Sequence, residues 1–279
     1  MKSAVIPSLK MQCDTEIWAY DMLIFLCSVS SALLQWLSDM FNEKKKTLTD
    51  LHCHILPGID DGAKDLDTAV ALLKEQKNQG VEQIVFTPHF WSWEKSLRQF
   101  ALDRYHAAEK LADILDELGI EWGAGAEVRM TPDLLKMDLK SLNIVGTPYF
   151  LLEWPFTQFP LYGREVVDRI QELDYTPVFA HIERYDYFWN SPKNLDEYID
   201  EGIVCQINPA ILLKSETRKY ALKMIRDGYV HVLSSDAHNM ENRSPHLKLA
   251  FQIVEKNLGK KYAEKLKTNA DLIFHGKEI

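Results

Sequence analysis

The run TDLHCHILPGIDDG, residues 49–62, carries two histidines two positions apart, His52 and His54, and two acids, Asp60 and Asp61, beyond a Pro-Gly turn. Alternate residues of a strand share a face, so both imidazoles would point the same way and Cys53 would turn into the wall. Similar residues recur down the chain: His89 in TPHF, Glu127 in GAEVRM, Glu153 in LLEW, His181 in FAHIERY, and Asp236 with His238 in SSDAH. With Asp61 they make five histidines and four carboxylates. Any one of them alone would read as an ordinary polar residue at a strand end. Burying so many without partners would cost several kcal/mol each, and coordination to metal offsets that cost. Imidazole and carboxylate without thiolate suit manganese, iron, zinc or magnesium-like ions, and the donors are enough for about three.

A thiol-based hydrolase is excluded. Its phosphate cradle needs an arginine six positions after the nucleophilic cysteine, but Ala19, Leu33, Ile59 and Ile211 follow Cys13, Cys27, Cys53 and Cys205 at that spacing. The cysteines form no CxxC pair, so neither a zinc finger nor a disulfide framework is expected, and a reducing, cytoplasmic compartment fits.

Positioning such a set requires several strands that end together. Apolar runs at residues 48–55, 83–89, 120–128, 149–154, 177–183, 203–208 and 230–238 read as strands. Amphipathic runs at 67–80, 96–119, 164–174, 194–202, 217–228 and 245–259 read as the helices between them, several stopping at a glycine. This alternation predicts an α/β fold with a parallel sheet, most simply a barrel, with a doubly wound open sheet as the alternative. In a parallel barrel the chemistry sits where the strands end. No glycine-rich nucleotide loop is present.

The net charge of −9 argues against nucleic acid as a partner. Residues 1–46 form a leader, and residues 47–279 the catalytic domain. Within the leader, residues 17–37 are long enough to span a bilayer, although Asp21 and Gln35 interrupt the run. Lys44, Lys45 and Lys46 would keep the downstream domain on the cytoplasmic side, with membrane contact through 17–37. The competing reading is a leader without a membrane role, or a start codon placed too early, with Met40 as the natural start.

The motifs DLHCHILPGIDDG, TPHF, GAEVRMTPDLL, FAHIERY and SSDAHNMENRSPH, spread from residue 48 to the end, resemble the polymerase-and-histidinol-phosphatase (PHP) superfamily. Within it they look like the manganese-dependent tyrosine-protein phosphatases of bacterial capsule and exopolysaccharide operons, the CpsB and YwqE types. That resemblance implies a distorted seven-stranded β/α barrel and a trinuclear site. His52, His54, Glu127 and Asp236 would hold one ion. Asp61, His89 and His238 would hold the second. Glu127, Glu153 and His181 would hold the third, with Glu127 bridging and Asp60 in support. Manganese is the expected metal, with iron, zinc, magnesium or cobalt as alternatives. Arg184 and Arg243 match the family's phosphate-binding positions.

The implied substrate is phosphotyrosine on the tyrosine-rich tail of a bacterial kinase controlling polysaccharide export. Alternatives are a small phosphomonoester such as histidinol phosphate, or a non-catalytic module that binds the kinase tail. Phe90, Trp91, Trp93, Trp154 and Phe156 are candidates for a platform under the phosphotyrosine ring, Trp91 and Trp93 foremost because they follow His89. His106, His231, His246 and His275 are expected to be structural.

Overall fold

The computed structural model describes residues 47–279, so the candidate bilayer span at 17–37 lies outside the described residues. Among the described residues no helix is long and apolar enough to cross a membrane.

The described strands are β1 (Leu48–Cys53), β2 (Val81–Phe86), β3 (His89–Phe90), β4 (Glu121–Ala124), β5 (Glu127–Arg129), β6 (Tyr149–Glu153), β7 (Thr176–Phe179), β8 (Val204–Ile207) and β9 (Val232–Leu233). They pair in the orders β1-β2-β4 and β3-β5-β6-β7-β8-β9, and every pairing is parallel. Parallel neighbours need long crossovers, and helices such as Leu66–Asn78, Gly163–Gln171 and Ser215–Arg226 supply them. The fold is α/β with parallel sheets, as the alternation of runs predicts.

Seven expected runs become nine segments because two of them bend. Pro88 has no N–H to give a ladder, and the Gly125–Ala126 pair separates β4 from β5. Hydrogen bonding nevertheless continues past both bends: Thr87 N donates to Cys53 O at 3.0 Å, Gly125 N to Phe86 O at 2.8 Å, and Glu127 N to Pro88 O at 3.1 Å. One consequence corrects the sequence expectation. His89 and Glu127 open the short strands β3 and β5 rather than closing longer ones. The expected helix at 96–119 likewise divides into Leu97–Glu109 and Ala112–Leu118, with no glycine or proline between them. Gly119 ends the second at φ 58°, a left-handed conformation glycine adopts without penalty.

Apolar side chains from six strands meet in one cluster: Leu51, Val85, Leu151, Val178, Val204 and Val232. Ala270 and Ile273, from the helix Lys260–Phe274, join it. Side chains two or four positions further along a strand lie on the same face, and there the chemistry changes. Thr87 and His89 follow Val85, Glu153 follows Leu151, Gln206 and Asn208 follow Val204, and Ser234 and Asp236 follow Val232. The chain beyond β9 returns to β1. Cys53 forms a parallel bridge with Ala237, Asp236 N donates to His52 O at 2.8 Å, and His54 N to Ala237 O at 2.9 Å. That pairing brings Asp236 and His238 beside His52 and His54. Cys53 packs in the main apolar core, away from its histidine neighbours.

Candidate metal centre

The nine candidate ligands converge at this polar end. His52 Nδ1 lies 3.2 Å from Gln206 Oε1, an acceptor that also takes the His181 N–H at 2.7 Å. His54 Nδ1 lies 2.7 Å from Asp60 Oδ2. Each Nδ1 is therefore the donor, which leaves the Nε2 lone pairs free. The two Nε2 atoms face each other at 3.1 Å. Glu127 Oε2 stands 3.2 and 3.1 Å from them, and Asp236 Oδ1 stands 3.5 and 3.4 Å away. Four lone-pair atoms thus point at one small volume.

His238 repeats the arrangement. Its Nδ1 donates to the Asp236 carbonyl at 2.9 Å, and its Nε2 lies 3.3 Å from Asp61 Oδ1. His89 Nε2 approaches the same Asp61 oxygen at 3.3 Å. His181 Nε2 lies 2.7 Å from Glu127 Oε1 and 3.9 Å from Glu153 Oε1.

Three overlapping groups result, the donor atoms of each within 4.8 Å of one another: His52, His54, Glu127 and Asp236; His54, Asp61, His89 and His238; and His89, Glu127 and Glu153. The first is the set expected for one ion. The second adds His54 to its expected trio. The third contains His89 where His181 was expected, while Glu127 is shared between groups as a bridging ligand would be.

These residues fit divalent cations. Glu127 Oε2, His89 Nδ1 and His238 Nε2 are buried without a hydrogen-bond partner among the described residues, an arrangement that is costly unless something else fills the space between them. Burial works against ionising Glu127, but His52, His89 and His181 around it hold its carboxyl well below the usual range. Burial, and then the Glu127 charge, push Glu153 up to about 7. His181 and Asp236 also have left-handed backbones, φ 30° and 51°. Each such conformation costs about 1–3 kcal/mol in a non-glycine residue and persists where surrounding structure enforces it.

Several supporting residues escaped the sequence reading. Gln206 Nε2 donates to Asn208 Oδ1 at 2.7 Å, and Asn208 Nδ2 to Asp236 Oδ2 at 2.8 Å. This amide relay orients His52, His181 and Asp236 together. Its signal was available as two polar residues at alternate positions of the apolar run IVCQIN. Asp50, fully buried, accepts from Ser235 N at 2.8 Å and Ser235 Oγ at 2.5 Å, and also from Gln76, which ties β1 to the segment leading into Asp236. Asp60 accepts from His89 N at 3.0 Å and Gly62 N at 2.9 Å besides holding His54. Burial opposes its charge, yet His54 and then His89 hold it down to about 2.

The loop carrying these acids depends on Gly62. A Cβ there would stand 2.1 Å from His54 O and 2.5 Å from His54 Cβ. Gly62→Ala is expected to lift Asp60 and Asp61 off His54 and to weaken Mn²⁺ binding by at least about tenfold, since outer residues that orient ligands carry effects of that size. Calorimetric titration checks this, and unchanged affinity would contradict it.

Above the ligands opens a cleft of about 350 Å³ whose lining includes Asp61, His89, Glu153, Arg184 and Arg243. Arg184 Nη2 lies 2.9 Å from Asp236 Oδ2. Arg243 Nη2 lies 3.0 Å from Asp236 Oδ1, and its Nη1 3.3 Å from Asp61 Oδ2. Both guanidinium groups thus rim the cleft over the carboxylates. Trp91, Trp93, Phe156 and Arg129 complete the wall. Phe90 and Trp154 do not: both are buried in the core, Trp154 edge-on to Phe179, Phe188 and Tyr198. Of the remaining histidines, His231 is a structural acceptor, taking Cys205 N–H at 2.9 Å, and burial holds it down to about 4. His246 bonds Ser244, and His106 and His275 stand outside the cluster.

Residues 48–275 match the family model for capsular polysaccharide synthesis, CpsB/CapC. The chain is 34% identical over 233 residues to the tyrosine-protein phosphatase CpsB of Streptococcus pneumoniae, covering 78% of this chain and 94% of that protein. It is 30% identical over 241 residues to the tyrosine-protein phosphatase YwqE of Bacillus subtilis (strain 168), covering 83% and 93%. A solved structure described under YwqE from Bacillus subtilis and CpsB from Streptococcus pneumoniae, as metal-dependent tyrosine phosphatases, aligns with a TM-score of 0.75 at 26% identity. That alignment covers 83% of this chain and 96% of the other. The lactonase Lmo2620 from Listeria monocytogenes shares the fold alone, with a TM-score of 0.53 at 14% identity.

Proposed function

The chain belongs to the CpsB/CapC family of capsular polysaccharide synthesis, and from that membership we propose that it is a metal-dependent phosphatase acting on phosphotyrosine in protein. The observation that carries the reading is the meeting of the His52 and His54 Nε2 lone pairs with Glu127 and Asp236 beneath a cleft rimmed by two arginines. His52, His54, Asp61, His89, Glu127, Glu153, His181, Asp236 and His238 are the proposed ligands, for three divalent ions with manganese foremost. The continuous parallel pairing and the shared apolar cluster support a distorted seven-stranded barrel as the frame, carried by residues 47–279.

Bound divalent ions would supply Lewis-acid charge and lower the pKa of a water near the phosphorus. The rest falls to the chain's own residues. Arg184 and Arg243 hold the non-bridging oxygens of the ester, their planar forks matched to a phosphoryl group. Their present partners, Asp236 and Asp61, aim the guanidinium groups at the cleft. Asp60 holds the proton on His54 Nδ1, and the Asp236 carbonyl holds that on His238 Nδ1. Neither imidazole can then turn its lone pair away. The proposed protein substrate is the tyrosine-rich tail of a bacterial kinase that regulates polysaccharide export.

The test compares kcat/KM for a phosphotyrosine peptide with that for histidinol phosphate on the same Mn²⁺-loaded protein. The peptide is expected to be preferred by at least about a hundredfold, the scale that contacts beyond the phosphate supply. A preference for histidinol phosphate would replace the proposed substrate with a small phosphomonoester. Peptide binding without phosphate release would leave a binding module.

A further inference from the structure

Two stacks of flat groups rise from candidate ligands on the wall of the cleft. In the first, Trp91 lies on His89 with centroids 5.1 Å apart at 27°, and Trp93 lies on Trp91 at 5.9 Å and 6°. In the second, Phe156 stacks with His181 at 6.0 Å and 25° and with Tyr185 at 5.7 Å and 26°. The Arg129 guanidinium sits 4.7 Å from the Phe156 centroid and pairs with Glu153 at 3.1 Å, which ties this second stack to the rim. Trp91, Trp93, Phe156 and Arg129 line the same cleft as Arg184 and Arg243. Trp93 and Phe156 are 61% and 41% exposed. So much apolar surface left in water beside a charged cleft points to an aromatic occupant rather than to packing.

We propose that these two stacks form a slot for the aryl ring of the phosphate ester, with Phe156 and Arg129 as its second wall, and that the slot selects aryl over alkyl phosphomonoesters. The inference rests on the phosphatase reading above. With the phosphate on Arg184 and Arg243, the ring of the ester lies between the walls. There it meets ring edges, ring faces and a guanidinium, all of which attract an aromatic partner. An alkyl ester fills the same space without those contacts. The tryptophan wall is visible in the sequence beside His89. Phe156 is a candidate there too, but its partnership with Arg129 is not visible, because the chain brings Phe156, beyond β6, next to Arg129 at the end of β5 only through the pairing of those strands.

Non-hydrolysable phosphonates test the slot without the chemical step. Inhibition constants for phenylphosphonate and methylphosphonate are measured on the Mn²⁺-loaded protein, then on Phe156→Leu, Trp93→Ala and, as a control outside the cleft, Phe159→Leu. Expected is a rise of about fivefold in the phenylphosphonate constant for the first two variants, the scale of one aromatic contact. The methylphosphonate constant and the control should not move. Inhibition by both compounds with an unchanged ratio in Phe156→Leu and Trp93→Ala overturns the slot and leaves the phosphatase reading standing. Failure of both phosphonates to inhibit the parent protein overturns both.

Discussion

Glu127→Gln is expected to lower turnover of a phosphotyrosine peptide by about a thousandfold or more, equivalent to ~4 kcal/mol of transition-state stabilisation. The substitution keeps the shape of the side chain and removes its charge. Glu127 is the residue on which the cluster depends most. One oxygen lies within 3.2 Å of His52, His54 and His89, and the other 2.7 Å from His181. It is shared by two of the three donor groups. An amide in its place offers one neutral oxygen and one N–H, and the N–H would face histidine lone pairs or bound cations. Bound metal, counted by mass spectrometry, should fall together with turnover, while circular dichroism shows the fold retained. Full activity with full metal content would remove Glu127 from the site.

Arg243→Met is the second large effect. Methionine keeps much of the apolar stem but lacks the fork that spans Asp236 and Asp61. If the guanidinium stabilises charge developing on the phosphoryl oxygens, kcat should fall by about a hundredfold to a thousandfold, the range seen when one such donor is removed. Metal content should stay near that of the parent. Arg243→Lys should recover part of the loss, because a point charge replaces the bidentate one. A rise in KM with kcat unchanged would make Arg243 a group for substrate binding rather than for the transition state.

Much of the site was legible before any fold was known. Histidines two apart in a strand, and Asp236 with His238 two apart near the other end of the domain, announce a shared face whatever the topology. Spacing alone could not tell which donors meet. His89 lies in two donor groups, and His54 joins Asp61 and His238, because the parallel bridge at Cys53 and Ala237 laps the last strand's continuation onto the first. The bends at Pro88 and Gly125–Ala126 were written in proline and glycine, yet the runs read as continuous because apolar residues resume past each bend. Asp50, Gln206 and Asn208 looked like isolated polar residues. Their meaning comes from partners more than 20 positions away in sequence, Ser235, His181 and Asp236, and a local pattern carries no trace of such pairs. Phe156 was a candidate in the sequence, but its partnership with Arg129 belongs to the same class.

The central claim, hydrolysis that depends on metal held by this cluster, is tested most directly by one titration. Protein purified without chelator is assayed with a phosphotyrosine peptide while its metal content is measured. It is then stripped by dialysis against chelator and reassayed as Mn²⁺ is returned. Expected are more than one equivalent of bound metal at the outset, loss of turnover on stripping, and recovery that tracks the Mn²⁺ rebound. Turnover that persists undiminished in the stripped, metal-free protein would contradict it.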